Sequence, residues 1–223
     1  MEYLEPVSAP SAQMSGAGKY FGDVAANYDA KRVNDPKWTI EQELIESWLK
    51  ELTPGTHVLD CPVGTGRFLK AYVENELPFI GMDRQPDMLV QSALKLLPQK
   101  KAEEWVAACN QHNAFLPLRI EGKGQLVPGD VCKTGLKDKS VDVSLCIRLT
   151  RWLIEERGPD GIKAMLHELQ RVSRQAIVLT ARVANHKWAV SRELIEQGLD
   201  GWKIDRDQAG YVTDYRILRV VPA

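Results

Sequence analysis

The sequence predicts an α/β chain: a central, mostly parallel sheet with helices on both faces and a C-terminal antiparallel hairpin strand. Three observations carry this expectation. Val58-Leu59-Asp60-Cys61-Pro62-Val63-Gly64-Thr65-Gly66-Arg67-Phe68-Leu69 reads as a short apolar strand, a tight turn with two glycines and the opening of an amphipathic helix. Residues 141–147 are a near-continuous apolar run, the pattern of a strand buried on both faces of a parallel sheet. Helix and strand patterns alternate from there to two closing β segments near 202–205 and 215–221.

At 223 residues the chain can hold one α/β domain with a single core and some decoration. Lys and Arg number 29 against 30 Asp and Glu, so the formal net charge of −1 gives no long-range field to recruit nucleic acid or an acidic membrane. A local basic patch stays open. No run of about 18 apolar residues occurs, so no membrane span is expected. Residues 1–18 lack a basic start and an apolar core and are rich in Pro, Ser, Ala and Gly. They read as a flexible tail and not as a secretory signal. Cys61, Cys109, Cys132 and Cys146 show no Cys-x-x-Cys pairing and no histidine at ligand spacing. Reduced thiols in a cytoplasmic protein are expected, and no metal site.

Taken in order, residues 19–32 hold a short helix with Tyr20, Phe21, Tyr28 and Arg32, which either closes over a site or docks its aromatic residues on the core. Residues 37–52 place Ile40, Leu44, Ile45, Trp48, Leu49 and Leu52 at helical spacing, and Pro54-Gly55 stops that helix. The first strand begins at His57 or Val58 and ends in the glycine turn. Unpaired N–H groups at the start of the next helix, about residues 67–75, make the turn a cradle for a nucleotide-like cofactor. A dinucleotide fingerprint needs a third glycine where Leu69 stands, and a P-loop needs Gly-Lys-Ser/Thr; neither is present.

A second strand, 77–83, ends in Asp83, about twenty residues past the turn, where an α/β nucleotide site places a ribose carboxylate. In isolation such an aspartate is a helix cap. Helices at 88–97 and 100–111 follow, the second with Trp105, Val106 and Ala108 inward, then a small hairpin over 115–126. Gly129-Asp130 is by itself a turn. After the buried strand come a helix at 161–173, a strand at 175–180 and a helix at 190–197.

Several of these segments resemble the motifs of class I S-adenosyl-L-methionine (SAM)-dependent methyltransferases. The glycine turn is similar to Val-Leu-Asp-x-Gly-x-Gly-x-Gly in its Leu-Asp-x-Pro-x-Gly-Thr-Gly-Arg-Phe variant, where Pro62 replaces the first glycine and removes a backbone donor. Gly81 to Leu89 resembles Gly-x-Asp-x-Ser-x-x-Met-Leu, and Gly129-Asp130-Val131 resembles Gly-Asp-Ala/Val. Phe21 to Asp29 looks like the cofactor-covering Phe-x-x-x-Ala-x-x-Tyr-Asp segment, and Leu166 to Val172 like Leu-x-Glu-x-x-Arg-Val. The resemblance spans residues 19–223. It implies one domain with the Rossmann-like methyltransferase fold, N-terminal lid helices and an insertion near 98–126. That insertion reads equally as a specificity element, a dimer contact or inert decoration.

The same resemblance implies SAM as cofactor and S-adenosyl-L-homocysteine (SAH) as product. It puts Tyr20, Tyr28 and Arg32 in the lid and Asp60, Pro62, Gly64 and Gly66 near the methionine part. Asp83 falls on the ribose, with Arg84 and Met88 from the same element, and Asp130 and Val131 on adenine. Ile147 and Arg148 fall by the transferred methyl. Methyl transfer needs alignment and exclusion of water, without metal or covalent nucleophile.

The acceptor is less legible. The Asp/Asn-Pro-Pro-Tyr/Phe signature of DNA amino methylation is absent, since Cys146-Ile147-Arg148-Leu149 stands there. Cys146 lacks the proline of a Pro-Cys nucleophile, and the paired glutamates of arginine methylation are missing. A small-molecule acceptor is left, with nucleic acid disfavoured. His186, past the fifth strand, is a candidate general base or a loop histidine. Arg148 either binds an anionic substrate or pairs with a core carboxylate. His167 is read as structural. Two other functions stay open: a SAM-binding regulatory or scaffold protein without transferase activity, and a nucleic-acid methyltransferase using Arg148, Arg151, Arg157 or Lys163. Nothing in the sequence speaks to oligomeric state.

Overall fold

A computed structural model describes residues 20–112, 116–184, 186–211 and 214–223. The tail expected at 1–18 lies outside them, as does Phe115 at the start of the expected hairpin. Among the described residues eight strands form one sheet in the order β3-β4-β2-β1-β5-β6-β8-β7. Its centre is parallel: β1 (Val58–Asp60) lies between β2 (Phe79–Asp83) and β5 (Val141–Cys146), flanked by β4 (Gly124–Pro128) and β6 (Ser173–Arg182). At one edge β8 (Tyr215–Pro222) and β7 (Trp202–Ala209) run antiparallel, as the two closing segments predict. At the other edge β3 (Leu118–Ile120) pairs antiparallel with β4, which realises the hairpin.

The strands alternate between two cores, as a period of two requires. Val58, Leu145, Val178 and Ile217 face helices α2 (Pro36–Leu49), α3 (Leu69–Glu74) and α4 (Pro86–Leu96). Their neighbours Leu59, Cys146, Leu179 and Leu218 face α6 (Thr150–Val172) and α7 (Arg192–Gln197). Burial on both sides is why these strands read as unbroken apolar runs. Helix α5 (Gln99–His112) lies in the 98–126 segment together with β3.

Three expectations need correcting. Helix α2 starts one residue early, because Asp35 caps it by accepting from Lys37 N at 3.0 Å and Pro36 takes the first helical position. Ile45, Trp48 and Leu49 are buried as expected, but Ile40 is 45% exposed, and the fully buried residue beside it is Glu41. In α5 the buried positions are Ala102 and Cys109, with Trp105 between them donating to Leu116 O at 3.1 Å. The helix expected from residue 161 begins at Thr150. Pro159 cannot continue the hydrogen-bond ladder, and Gly158, at φ 62°, absorbs the break while helix persists on both sides.

Among the described residues no helix is long and apolar enough to cross a membrane. None of the four cysteines is in a disulfide.

Candidate functional site

The carboxyl ends of β1, β2, β4 and β5 open into one cavity of about 470 Å³. Open α/β sheets bind ligands at this position, because loops at the strand ends converge where the topology reverses. Asp60, Asp83, Asp130 and Ile147 each stand at or just past the end of their strand and line this cavity. Tyr20, Tyr28, Pro62, Gly64, Arg84, Met88, Val131 and Arg148 also line it.

The glycine turn is held by side chains from neighbouring elements. Asp83 Oδ2 accepts from Gly64 N at 2.9 Å and Oδ1 from Gln85 N at 2.8 Å, so one carboxylate ties the first loop to the second. Ser92 donates to Gly64 O at 2.8 Å. Gly64 has φ 58°, open to glycine at no steric cost. The Cys61–Pro62 peptide is cis. Gly66 is different: it has φ 75° and lies outside the cavity lining. A Cβ there would sit 2.2 Å from Leu69 Cδ1 and 2.9 Å from Ser92 Oγ. Its place is in the packing of turn against helix. Gly66→Ala is expected to lose about 2–3 kcal/mol of stability, left-handed strain plus crowding. Urea unfolding measures this, and a midpoint equal to the parent's would refute the packing role.

Charge is arranged unevenly around the cavity. Asp60 is 2% exposed and accepts from Tyr72 OH at 2.9 Å. Desolvation pushes its carboxyl up to about 7, against the pull of the Tyr72 hydrogen bond. Asp83 is pushed up to about 6 by the same burial, opposed by its backbone N–H donors. Asp130 goes the other way: burial would raise it, but Arg157, Cys132 N and Arg84 together hold it below the ordinary carboxylate range. Burial raises the thiol of Cys146, which lies 3.4 Å from Met165 Sδ and is no nucleophile in this setting.

The N-terminal segment contributes Tyr20 and Tyr28 to the cavity lining. Helix α1 (Asp23–Ala26) is anchored by Gly22 N donating to Asp87, and Asp29 bridges Thr65 on the glycine turn and Lys95 on α4. Tyr20 meets Tyr28 and Trp152 edge to face, at 5.5 and 5.8 Å between ring centres. Arg32 lies over the Tyr28 ring at 3.6 Å and does not line this cavity.

A smaller cavity of about 250 Å³ shares the wall made by Tyr20, Tyr28, Arg148 and Trp152. Arg32 and His186 line this one. His186 Nδ1 accepts from Trp188 N at 3.2 Å, which places the proton of a neutral imidazole on Nε2. That tautomer donates; it does not fit the general base that the sequence made it a candidate for.

Some lining residues escape the sequence reading. Trp38, Arg67 and Phe68 form the wall under Arg148, and Trp152 and Glu156 come from the first turns of α6. Glu41 lies beneath, taking Arg148 Nε at 2.7 Å together with Arg67 and Tyr215. The Gly158-Pro159 pair hides the first turns of α6, and a lone glutamate in a helix carries no signal of burial.

No protein-family model matches the chain, and no curated protein matches it by sequence. Solved structures do. Magnesium protoporphyrin IX methyltransferase (ChlM) from Synechocystis PCC 6803 with bound SAM is 19% identical, covering 95% of this chain and 88% of that one, at a TM-score of 0.59. A TehB-like SAM-dependent methyltransferase from Corynebacterium glutamicum is 15% identical, covering 89% and 98%, at 0.58. The [4+2]-cyclase SpnF is 12% identical, covering 80% and 79%, at 0.54. At these identities the likeness is one of fold, the Rossmann-like methyltransferase fold.

Proposed function

We propose that this chain is a SAM-dependent methyltransferase for a small-molecule acceptor, and that the larger cavity holds the donor. The observation that carries the reading is the row of Asp60, Asp83 and Asp130, set at the ends of adjacent parallel strands around one glycine turn. In this reading Asp60, Pro62 and Gly64 face the amino-acid end of the donor. Asp83, flanked by Arg84 and Met88, takes the ribose hydroxyls with the acceptor capacity that the backbone N–H groups of Gly64, Gln85 and Arg84 leave on its carboxylate. Asp130 and Val131 take adenine, with Asp130 already oriented by Arg157. Gly66 acts indirectly, by fixing the turn.

Bound SAM supplies an electrophilic methyl on a sulfonium, leaving SAH. The chain's task is then orientation and exclusion of water. Arg148 stands where the two cavities meet, with Ile147 beside it on the larger one, and Tyr20 and Tyr28 form part of the shared wall; Arg32 supports Tyr28 from behind. We read the described chain as one working domain with this N-terminal lid. Free thiols at all four cysteines fit a reducing, cytoplasmic setting.

Isothermal titration with SAH, followed by release of SAH from SAM in the presence of an acceptor, tests the reading. A chain that ignores both donor and product at millimolar concentration is not this enzyme. Binding should depend on pH. The donor's ammonium favours an ionised Asp60, so affinity for SAH is expected to fall by up to about tenfold per unit as pH drops below the Asp60 value of about 7. Stability of the empty protein should move oppositely. The folded protein holds the Asp60 proton more tightly than the unfolded chain, with its ordinary 3.8, so this contribution is full below 3.8 and lost as pH rises through about 7. In Asp60→Asn both trends should flatten above about pH 6, where Asp83 stays ionised; if they persist in that window, Asp60 is not the titrating group.

A further inference from the structure

We infer that the smaller cavity binds a small aromatic acid, and that this acid is the acceptor; the second half of that statement rests on the methyltransferase reading. In that transfer a carboxylate oxygen bonds to the methyl as the methyl–sulfonium bond breaks and its electron pair stays on sulfur, giving a methyl ester and SAH with no proton to remove. Arg32, Arg148, Arg151 and Arg182 all line this space, with His186, and none of its described lining residues is acidic. Arg148 is paired with Glu41 from behind, and the guanidinium groups of Arg32, Arg151 and Arg182 around about 250 Å³ leave positive charge that a bound anion would neutralise.

Their existing partners leave room for one. Arg148 spends Nε on Glu41, and its Nη2 is buried with no hydrogen-bond partner among the described residues. A buried donor without an acceptor is costly, and a ligand oxygen would supply one. Arg151 lies over the rings of Trp188 and Trp152, at 4.3 and 5.0 Å, and meets no carboxylate among the described residues. Arg182 donates to Tyr211 OH at 3.1 Å, and Arg32 to Tyr28 O at 2.8 Å. Arg32, Arg151 and Arg182 are thus held by a carbonyl, by aromatic rings and by a phenol, so their charges stay available. His186, with its proton on Nε2, adds another donor. Planar forks of this kind match the two oxygens of a carboxylate.

The body of the ligand follows from the remaining walls. Trp152 and Trp188 stand on one side, and Tyr211 stacks on Tyr215 at 4.8 Å on another. So many aromatic side chains in the lining favour a flat apolar body over an aliphatic chain. The volume suits about one or two rings, well below what a nucleic-acid strand needs. The shared wall of Tyr20, Tyr28, Arg148 and Trp152 sets such a ring beside the donor cavity.

The test is titration with benzoate, 4-hydroxybenzoate, cinnamate and indole-3-acetate, each against its neutral amide, with SAH present and absent. At least one acid is expected to bind about tenfold or more tighter than its amide. The Arg151→Gln, Arg182→Gln double variant should lose that preference while its affinity for SAH stays unchanged. An Arg151→Lys, Arg182→Lys variant retains charge and should recover part of it, which separates charge loss from misfolding. Equal binding of acids and amides, or an unchanged preference in the glutamine variant, overturns the inference. So does displacement of the acids by a short single-stranded oligonucleotide with steep salt dependence. If acids bind and SAH does not, the cavity's chemistry stands and the methyltransferase reading falls. If SAH binds and no acid does, the reverse holds.

Discussion

Glu41→Ala is expected to lower the stability of the fold by about 3–5 kcal/mol, the cost of breaking a buried ionic group by removing one member. Glu41 is fully buried in α2 and is the shared acceptor for Arg67, Arg148 and Tyr215. Removing it leaves two guanidinium groups facing each other without compensation. The two arginines feel that carboxylate differently. Desolvation holds Arg67 below its ordinary value, with Glu41 opposing, whereas at Arg148 the pull of Glu41 and Tyr215 outweighs desolvation and raises it. Glu41→Gln keeps volume and one acceptor oxygen and should cost roughly half as much. Urea unfolding with an unchanged slope and a lowered midpoint is the expected record. A Glu41→Ala midpoint within experimental scatter of the parent would mean that the arginines find other partners. Because Arg67 lies over the Trp38 ring at 3.8 Å and Trp38 lines the larger cavity, loss of Glu41 should also weaken SAH binding if the donor sits there.

Glu41 shows where the sequence stops being readable. As a string, α2 offers a stripe of apolar residues with a glutamate beside Ile40, and burying the isoleucine is the natural choice. What reverses it is the arrival of Arg148 from 107 residues away and Arg67 from 26, two cations that need an anion inside. No local pattern encodes that. The glycine turn and the place of Asp83 about twenty residues past it were legible for the opposite reason: both belong to a single β/α unit, whose spacing is local, and the bond between them emerges only in the fold. The sheet was legible as well, since strands buried on both faces must be apolar throughout. The first half of α6 was hidden by Gly158-Pro159, which end most helices and here only kink one. His186 could be proposed as a base from its place after a strand, but its tautomer depends on a hydrogen bond from Trp188 that residue order does not reveal.

Asp83→Ala is expected to weaken SAH binding by about 100-fold, the loss of two hydrogen bonds to a charged group at about 1.5 kcal/mol each. Its effect on the empty protein should be small, because two opposing terms nearly cancel. The variant removes a carboxylate that burial has pushed up to about 6, and therefore removes a desolvation cost at neutral pH. It also leaves the N–H groups of Gly64 and Gln85 without their acceptor. Below about pH 6 the parent itself carries a protonated Asp83, so the gap in affinity between parent and variant should narrow there. Titration calorimetry at about pH 5 and about pH 8, paired with thermal unfolding, reads all of these quantities. A variant that keeps SAH affinity within a few-fold would move the ribose away from Asp83. A variant that loses affinity and stability together would make Asp83 a brace for the glycine loop, because only contact with the ligand predicts a large change in binding over an intact fold.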